Sequence, residues 1–320
     1  MTFLNHLRST ASRLTRIGAG VALGVGLVAS FAAEPVMAAR LTVQDAPAAA
    51  AAAAADPAIW VIRDADSTIY LFGTVHLMRP GLDWMTPEVR DAFTSADELW
   101  LELDDPSDQA AAVPLIQQYG ISPQTPLSTL LTTEEFATLD TAARSIGLSG
   151  AAMDPMRPWL AGLTLSVAPL TRAGFDPSAG IDMMLRTQAV ERGLPIRGLE
   201  TMEQQIRFFA TMDEADQIAF LRQTLDSYES AAEMLDQLAG HWSAGDMDAL
   251  YALGGAELKT QYPGFHDILL TNRNADWARQ IQEELAGSGE VFIAVGALHL
   301  AGPDSVQEQL EDLGIEAERL

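Results

Sequence analysis

Two stretches of this sequence carry residues able to do chemistry: Tyr70-Leu71-Phe72-Gly73-Thr74-Val75-His76-Leu77 and Ile293-Ala294-Val295-Gly296-Ala297-Leu298-His299-Leu300. Each is an apolar, strand-like run, then a glycine, two small or apolar residues, a histidine and a leucine. A lone Gly-x-x-His is a weak signal, whereas two in the same strand context are a stronger one. Glycine lets the backbone turn sharply at the carboxyl end of a strand, so the histidine three residues later projects over the sheet edge. Imidazole is both the commonest metal ligand and the usual general base. Two such units, one near each end of a domain, can bring both rings to one site.

Acids able to complete that site also fall at strand ends. Glu102 follows the run Glu98-Leu99-Trp100-Leu101, and Glu200 ends Leu194-Pro195-Ile196-Arg197-Gly198-Leu199. Alone, each reads as a solvated or helix-capping carboxylate. Their shared position raises both, because open α/β sheets collect their sites at the carboxyl ends of the strands. Arg273, just before a late helix, either binds a substrate carboxylate or tetrahedral oxyanion through paired hydrogen bonds, or pairs structurally with a buried acid. His241 and His266 lack the strand context and stay outside the site with His6. Trp159, Trp242 and Trp277 fall on apolar helix faces and read as core. The sequence has no Gly-x-Ser-x-Gly elbow, phosphate-binding loop, dinucleotide fingerprint or His-Glu-x-x-His helix.

The elements that must position these residues follow an α/β pattern. Two strands lie between Ile59 and Val75, a helix starts at Pro87, and Glu98–Leu103 is a strand. From about 106 to 287 the chain reads as mostly helical, interrupted by the short strand before Glu200. Thr132 and Glu135 form a capping box, and further helices are predicted over Pro155–Arg172, Pro177–Arg192 and from Met202 through Trp242. A helix over Asn274–Leu285, the strand Val291–Val295, a helix over Asp304–Leu313 and a last strand from Ile315 return to the opening pattern. The expected fold is α/β, with a partly parallel sheet carrying the two strand-Gly-x-x-His units and a large helical cap inserted between them.

Composition narrows the function. The 320 residues include 44 acidic and 19 basic ones, for a net charge of −25. Nucleic acid is therefore not an expected partner. Cysteine is absent, which excludes thiolate ligands, a cysteine nucleophile, disulfides and a lipoprotein anchor. Any metal must be held by imidazole and carboxylate. Arg8, Arg13 and Arg16 precede an apolar stretch from Ile17 to Ala33 and small residues around Ala38, the pattern of a secretory signal peptide over residues 1–38. Residues 39–57 are an alanine-rich tether, and the folded domain is expected to span 58–320. The signal implies a periplasmic or secreted protein that meets the membrane only during export.

Six ordered motifs resemble the TraB/GumN family, which groups with the Tiki proteins and, more distantly, the erythromycin-esterase and ChaN-like proteins. They are Leu71-Phe72-Gly73-Thr74-Val75-His76, Leu101-Glu102-Leu103-Asp104, Arg157-Pro158-Trp159, Gly198-Leu199-Glu200-Thr201 with Gln204 or Gln205, Arg273-Asn274 with Trp277, and Val295-Gly296-Ala297-Leu298-His299-Leu300. The resemblance covers nearly all of 58–320. It implies metal-dependent peptide cleavage of the Tiki kind, with His76, His299, Glu102 and Glu200 as candidate metal ligands. Glu102, Glu200 and Arg273 inherit candidate catalytic roles. The expected function is an exported metal-dependent hydrolase, most plausibly a peptidase, holding Mn²⁺, Co²⁺ or Zn²⁺ and acting on a peptide or small molecule. Two alternatives stand beside it: a periplasmic protein that binds a peptide or signal without turnover, and a metal-free esterase-like hydrolase with histidine as base.

Overall fold

A computed structural model describes residues 55–320. The signal peptide and most of the alanine-rich tether lie outside the described residues. The last part of the expected tether is packed: Ala55 and Pro57 are buried, and the Asp56 N–H donates to the Ser243 carbonyl at 2.7 Å.

The strands are β1 (Ile59–Arg63), β2 (Ser67–Thr74), β3 (Glu98–Leu101), β4 (Ile196–Gly198), β5 (Gly289–Gly296) and β6 (Glu318–Arg319), in the sheet order β4-β3-β5-β2-β1-β6. The four strands β4, β3, β5 and β2 run parallel, and β1 and β6 add an antiparallel edge. Register places Thr74 opposite Gly296, and Leu101 opposite both Ala294 and Gly198, so the four carboxyl ends form one rim. Strands such as β5 read as continuous apolar runs because both faces are covered. Ile69, Leu71 and Ile293 pack toward Trp277 on one face, while Phe72 and Phe292 pack toward Trp84 and Trp242 on the other.

Helices of seven or more residues are α1 (Pro87–Ser95), α2 (Gln109–Gly120), α3 (Thr133–Arg144), α4 (Pro158–Ser166), α5 (Ile181–Arg192), α6 (Met202–Ala210), α7 (Glu214–Asp226), α8 (Ala231–Ser243), α9 (Met247–Gly254), α10 (Asn272–Leu285) and α11 (Val306–Asp312). The Thr132–Glu135 capping box is present at the start of α3. Among the described residues, no helix is long and apolar enough to cross a membrane.

Several boundaries differ from the sequence expectation. The helix expected over Pro155–Arg172 is two, α4 and a single turn over Ala168–Arg172, because Pro169 has no N–H to continue the ladder. The helix expected from Pro177 begins at Ile181, after a 3₁₀ turn over Pro177–Ala179 held by Asp176. Gly180 joins them so closely to the first histidine that an added Cβ would lie 2.2 Å from the His76 carbonyl oxygen. The last strand is only Glu318–Arg319 and pairs with β1. Helix α10 begins two residues before Asn274, fed by a π-helical turn over Asp267–Thr271, which puts Arg273 in its first turn.

Candidate active site

Each parallel strand delivers one side chain to the rim. His76 lies two residues past β2, Glu102 one past β3, Glu200 two past β4 and His299 three past β5. Arg273 enters from α10. His76, Glu102, Arg273 and His299 line one cavity of about 50 Å³, so the expected convergence of both histidines on one cleft is observed. Glu200 sits behind it, buried.

Arg273 is the hub. Its Nε donates to Glu200 Oε1 at 2.7 Å, and Nη2 donates to Glu102 Oε2 at 2.7 Å and Glu200 Oε2 at 2.9 Å. Nη1 donates to the Leu269 carbonyl and to His299 Nε2, both at 3.1 Å. A guanidinium has five N–H groups, and these contacts use all of them. The expected role of Arg273 as an oxyanion donor is therefore corrected: no N–H is left for a substrate, and the second of the two readings, pairing with buried acid, describes it. Phe208 and Trp277 cover the guanidinium faces.

Glu200 is corrected in the same way. Its Oε1 accepts from Arg273 and from Trp277 Nε1 at 3.0 Å, and its Oε2 accepts from Arg273 and from Gln205 Nε2 at 3.0 Å. With two donors on each oxygen it has no lone pair for a metal or a water proton, and it fixes Arg273 instead. Trp277, expected as core, is core and also part of this scaffold.

His299 is held neutral. Asn274 Nδ2 donates to the Asp304 carbonyl at 2.7 Å, which turns its Oδ1 toward His299 Nδ1 at 2.5 Å. That network assigns the proton to Nδ1 and leaves Nε2 to accept from Arg273. Burial, then the Arg273 charge, push its pKa well below the usual histidine range. Glu102 shows the opposite balance. Burial alone would raise its pKa, but Arg273 foremost, then the charged His76 and the Gly296 N–H, hold it well below the usual carboxylate range. Its Oε1 accepts that N–H at 2.8 Å and keeps a further lone pair facing the cavity.

His76 differs from His299 because its partner is an acid. Nδ1 donates to Asp182 Oδ1 at 3.2 Å, which leaves Nε2 in the cavity 3.7 Å from Glu102 Oε1. Burial opposes its charge, yet Asp182 and Glu102 outweigh burial and raise its pKa to about 9. The sequence reading missed Asp182. It stands in the first turn of α5, and the only local hint is Gly180, whose bare Cα lets that turn abut the His76 backbone.

This pairing has a pH signature. A histidine whose pKa is about 9 when folded and ~6.5 when unfolded adds stability that is complete below pH ~6.5 and lost as pH rises toward 9, up to about 3 kcal/mol. Asp182→Asn should drop the His76 pKa from about 9 toward or below 6.5 and flatten that alkaline loss, read by imidazole NMR titration and denaturation from pH 6 to 10. An unchanged His76 titration in the variant would remove Asp182 from its assigned role.

A divalent ion with bonds of ~2.0–2.2 Å bridges donors up to ~4.2 Å apart. Glu102 Oε1 stands 3.7 Å from His76 Nε2 and 3.9 Å from His299 Nε2. The hydrogen bonds oppose such an ion, because His299 Nε2 already takes an Arg273 N–H and the guanidinium charge lies beside the gap. Among the described residues, no three histidine or acidic side chains are grouped so as to hold a metal. As arranged, the four expected ligands do not fit a resident divalent ion.

Comparison with known proteins agrees with the motifs. An uncharacterized protein of Treponema pallidum (strain Nichols) is 23% identical over 260 residues, covering 77% of this chain and 78% of its own length. No solved structure matches the chain significantly. The TraB/PrgY/gumN family model matches residues 58–319, nearly the whole described domain and all six motifs, so the chain belongs to that family.

Proposed function

We propose that this protein is an exported hydrolase of peptide or small-molecule amides and esters, with His76 and Glu102 as its reacting pair. The observation that carries the reading is the opposition of His76 Nε2 to Glu102 Oε1 across a shielded gap, with every other polar group of the cluster committed to holding them. A carbonyl carbon seated beside that pair, on its cavity side, would be attacked by water, whose proton goes to Glu102 Oε1 as the new C–O bond forms. The imidazolium of His76 gives its Nε2 proton to the departing nitrogen or oxygen as the old bond breaks, and Glu102 returns a proton to His76. Because His76 titrates at about 9, turnover should fall as pH rises through that value. The low basicity of Glu102 makes slow turnover the expectation. The helical region from 106 to 287 acts as the cap, since Leu235 and Leu238 of α8 and Leu250 of α9 line the cavity. The segment 1–38 is the export signal, and the net charge of −25 keeps nucleic acid away.

A second reading, the metal-dependent one, is favoured by the nearness of both imidazole Nε2 atoms to one Glu102 oxygen. It requires Arg273 to release His299. One experiment separates the readings: incubation with a peptide library and short esters, with chelator or with added Mn²⁺, Co²⁺ or Zn²⁺, followed by mass spectrometry. Acid–base hydrolysis predicts products in chelator that vanish in Glu102→Gln and His76→Ala. Products only with an ion support the metal reading, and retention of a peptide without product supports a binding protein and overturns hydrolysis.

A further inference from the structure

The Arg157-Pro158-Trp159 motif has two halves. Pro158 and Trp159 are buried at the start of α4, where Trp159 stacks on Phe209. Arg157, just before that helix, is only partly buried and lines a second pocket of about 140 Å³, which shares no residue with the cavity of His76 and Glu102. Its backbone is fixed: its N–H donates to the Gly120 carbonyl at 2.7 Å, and the neighbouring Met156 bridges to Ile121. Its guanidinium is largely uncommitted. Nη1 donates at 3.4 Å to the Ala210 carbonyl at the end of α6, a long contact that occupies one of five N–H groups. No acid pairs with it among the described residues, although the chain carries 44 acidic residues.

The same pocket holds an opposite charge. Glu214, exposed in the first turn of α7, also lines it and is likewise without an ion pair among the described residues. Opposite charges on one small pocket attract, yet Arg157 and Glu214 stay apart, and the space between them suits a ligand that carries both charges. Ser122 and Thr125 supply the neutral contact. Their hydroxyls lie 3.1 Å apart, and whichever donates to the other leaves one O–H free for an acceptor. A cavity of ~150 Å³ holds benzene, so this one takes about six non-hydrogen atoms, the size of alanine.

We infer that this pocket binds a small free α-amino acid as its zwitterion, the carboxylate on Arg157 and the Ser122–Thr125 hydroxyls and the ammonium on Glu214. A guanidinium fork matches a carboxylate, and charge-assisted hydrogen bonds are the strong ones. The site uses none of the residues of the proposed hydrolysis and stands or falls apart from it.

Calorimetry on the full chain with L- and D-alanine, propionate and ethylamine tests this. Alanine of at least one hand should bind saturably. Propionate lacks the ammonium and ethylamine the carboxylate, and each should bind about 10-fold more weakly or worse, as expected for the loss of one charge-assisted contact. Arg157→Gln should remove alanine binding, and Glu214→Gln should weaken it to about the level of propionate, with thermal stability close to native in both. His76→Ala should bind alanine as the native protein does. No saturable alanine binding, propionate or ethylamine binding as tightly as alanine, or alanine binding that survives Arg157→Gln overturns the inference. Failure of the hydrolase reading alone would show differently, as intact alanine binding with no product from any ester or peptide.

Discussion

Arg273→Met is expected to destabilise the protein by about 3–5 kcal/mol near neutral pH, the usual cost of removing one partner from a buried ion cluster. The substitution preserves most of the volume between Phe208 and Trp277 but strands two carboxylates that now share one guanidinium. The sign of the pH dependence identifies the cause. In the native protein, Glu102 has a pKa held below its unfolded value, so its contribution is present above pH ~4.3 and lost as the pH falls. Without Arg273, burial dominates and raises the Glu102 pKa, so its contribution fades as the pH rises. Urea denaturation at pH 4 and pH 6, below the range in which His76 loses its contribution, should therefore show the native protein gaining stability toward pH 6 and the variant losing it. A variant with the native slope would mean that Arg273 does not govern the charge of Glu102.

Gly296→Ala probes the gap itself. Gly296 has φ −50° and ψ 131°, a conformation open to alanine, so the backbone tolerates the change. The new methyl carbon would stand 3.1 Å from Glu102 Oε1 and 3.3 Å from His76 Nε2, between the two groups that must meet a substrate. Neither can retreat freely: Glu102 is held by Arg273 and the Gly296 N–H, and His76 by Asp182. Such contacts push each group by a few tenths of an ångström; a 1 Å misplacement can cost about 100-fold in rate, and a loss of about 10-fold, short of that figure, is expected in kcat/KM with the fold retained. Near-native turnover in a folded Gly296→Ala protein would place the chemistry somewhere else.

The strands and the convergence of the rim residues were legible because they depend on local pattern. Apolar runs broken by glycine marked β2 and β5, and the acids at the ends of β3 and β4 stood out against the apolar residues before them. The parts played by those residues were less legible. Whether an arginine is free to bind a substrate depends on how many acceptors surround it, and all five acceptors around Arg273 come from residues distant in sequence or from backbone. Glu200 read as a base for the same reason. Asp182 gave no signal because an acid in the first turn of a helix is common, and only the tertiary contact through Gly180 makes it the partner of His76. The break at Pro169 was visible in the sequence, whereas the π-helical turn that advances α10 was not.

The central position of β5 bears on the order in which the molecule can form. This strand lies between β3 and β2, yet its residues, Gly289–Gly296, come from the last tenth of the chain. A nascent polypeptide that has not yet released them has β2 and β3 but nothing to join them. Contacts of such long sequence separation are slow to form because a large loop must close first. Synthesis of this domain is therefore nearly finished before its central sheet can close.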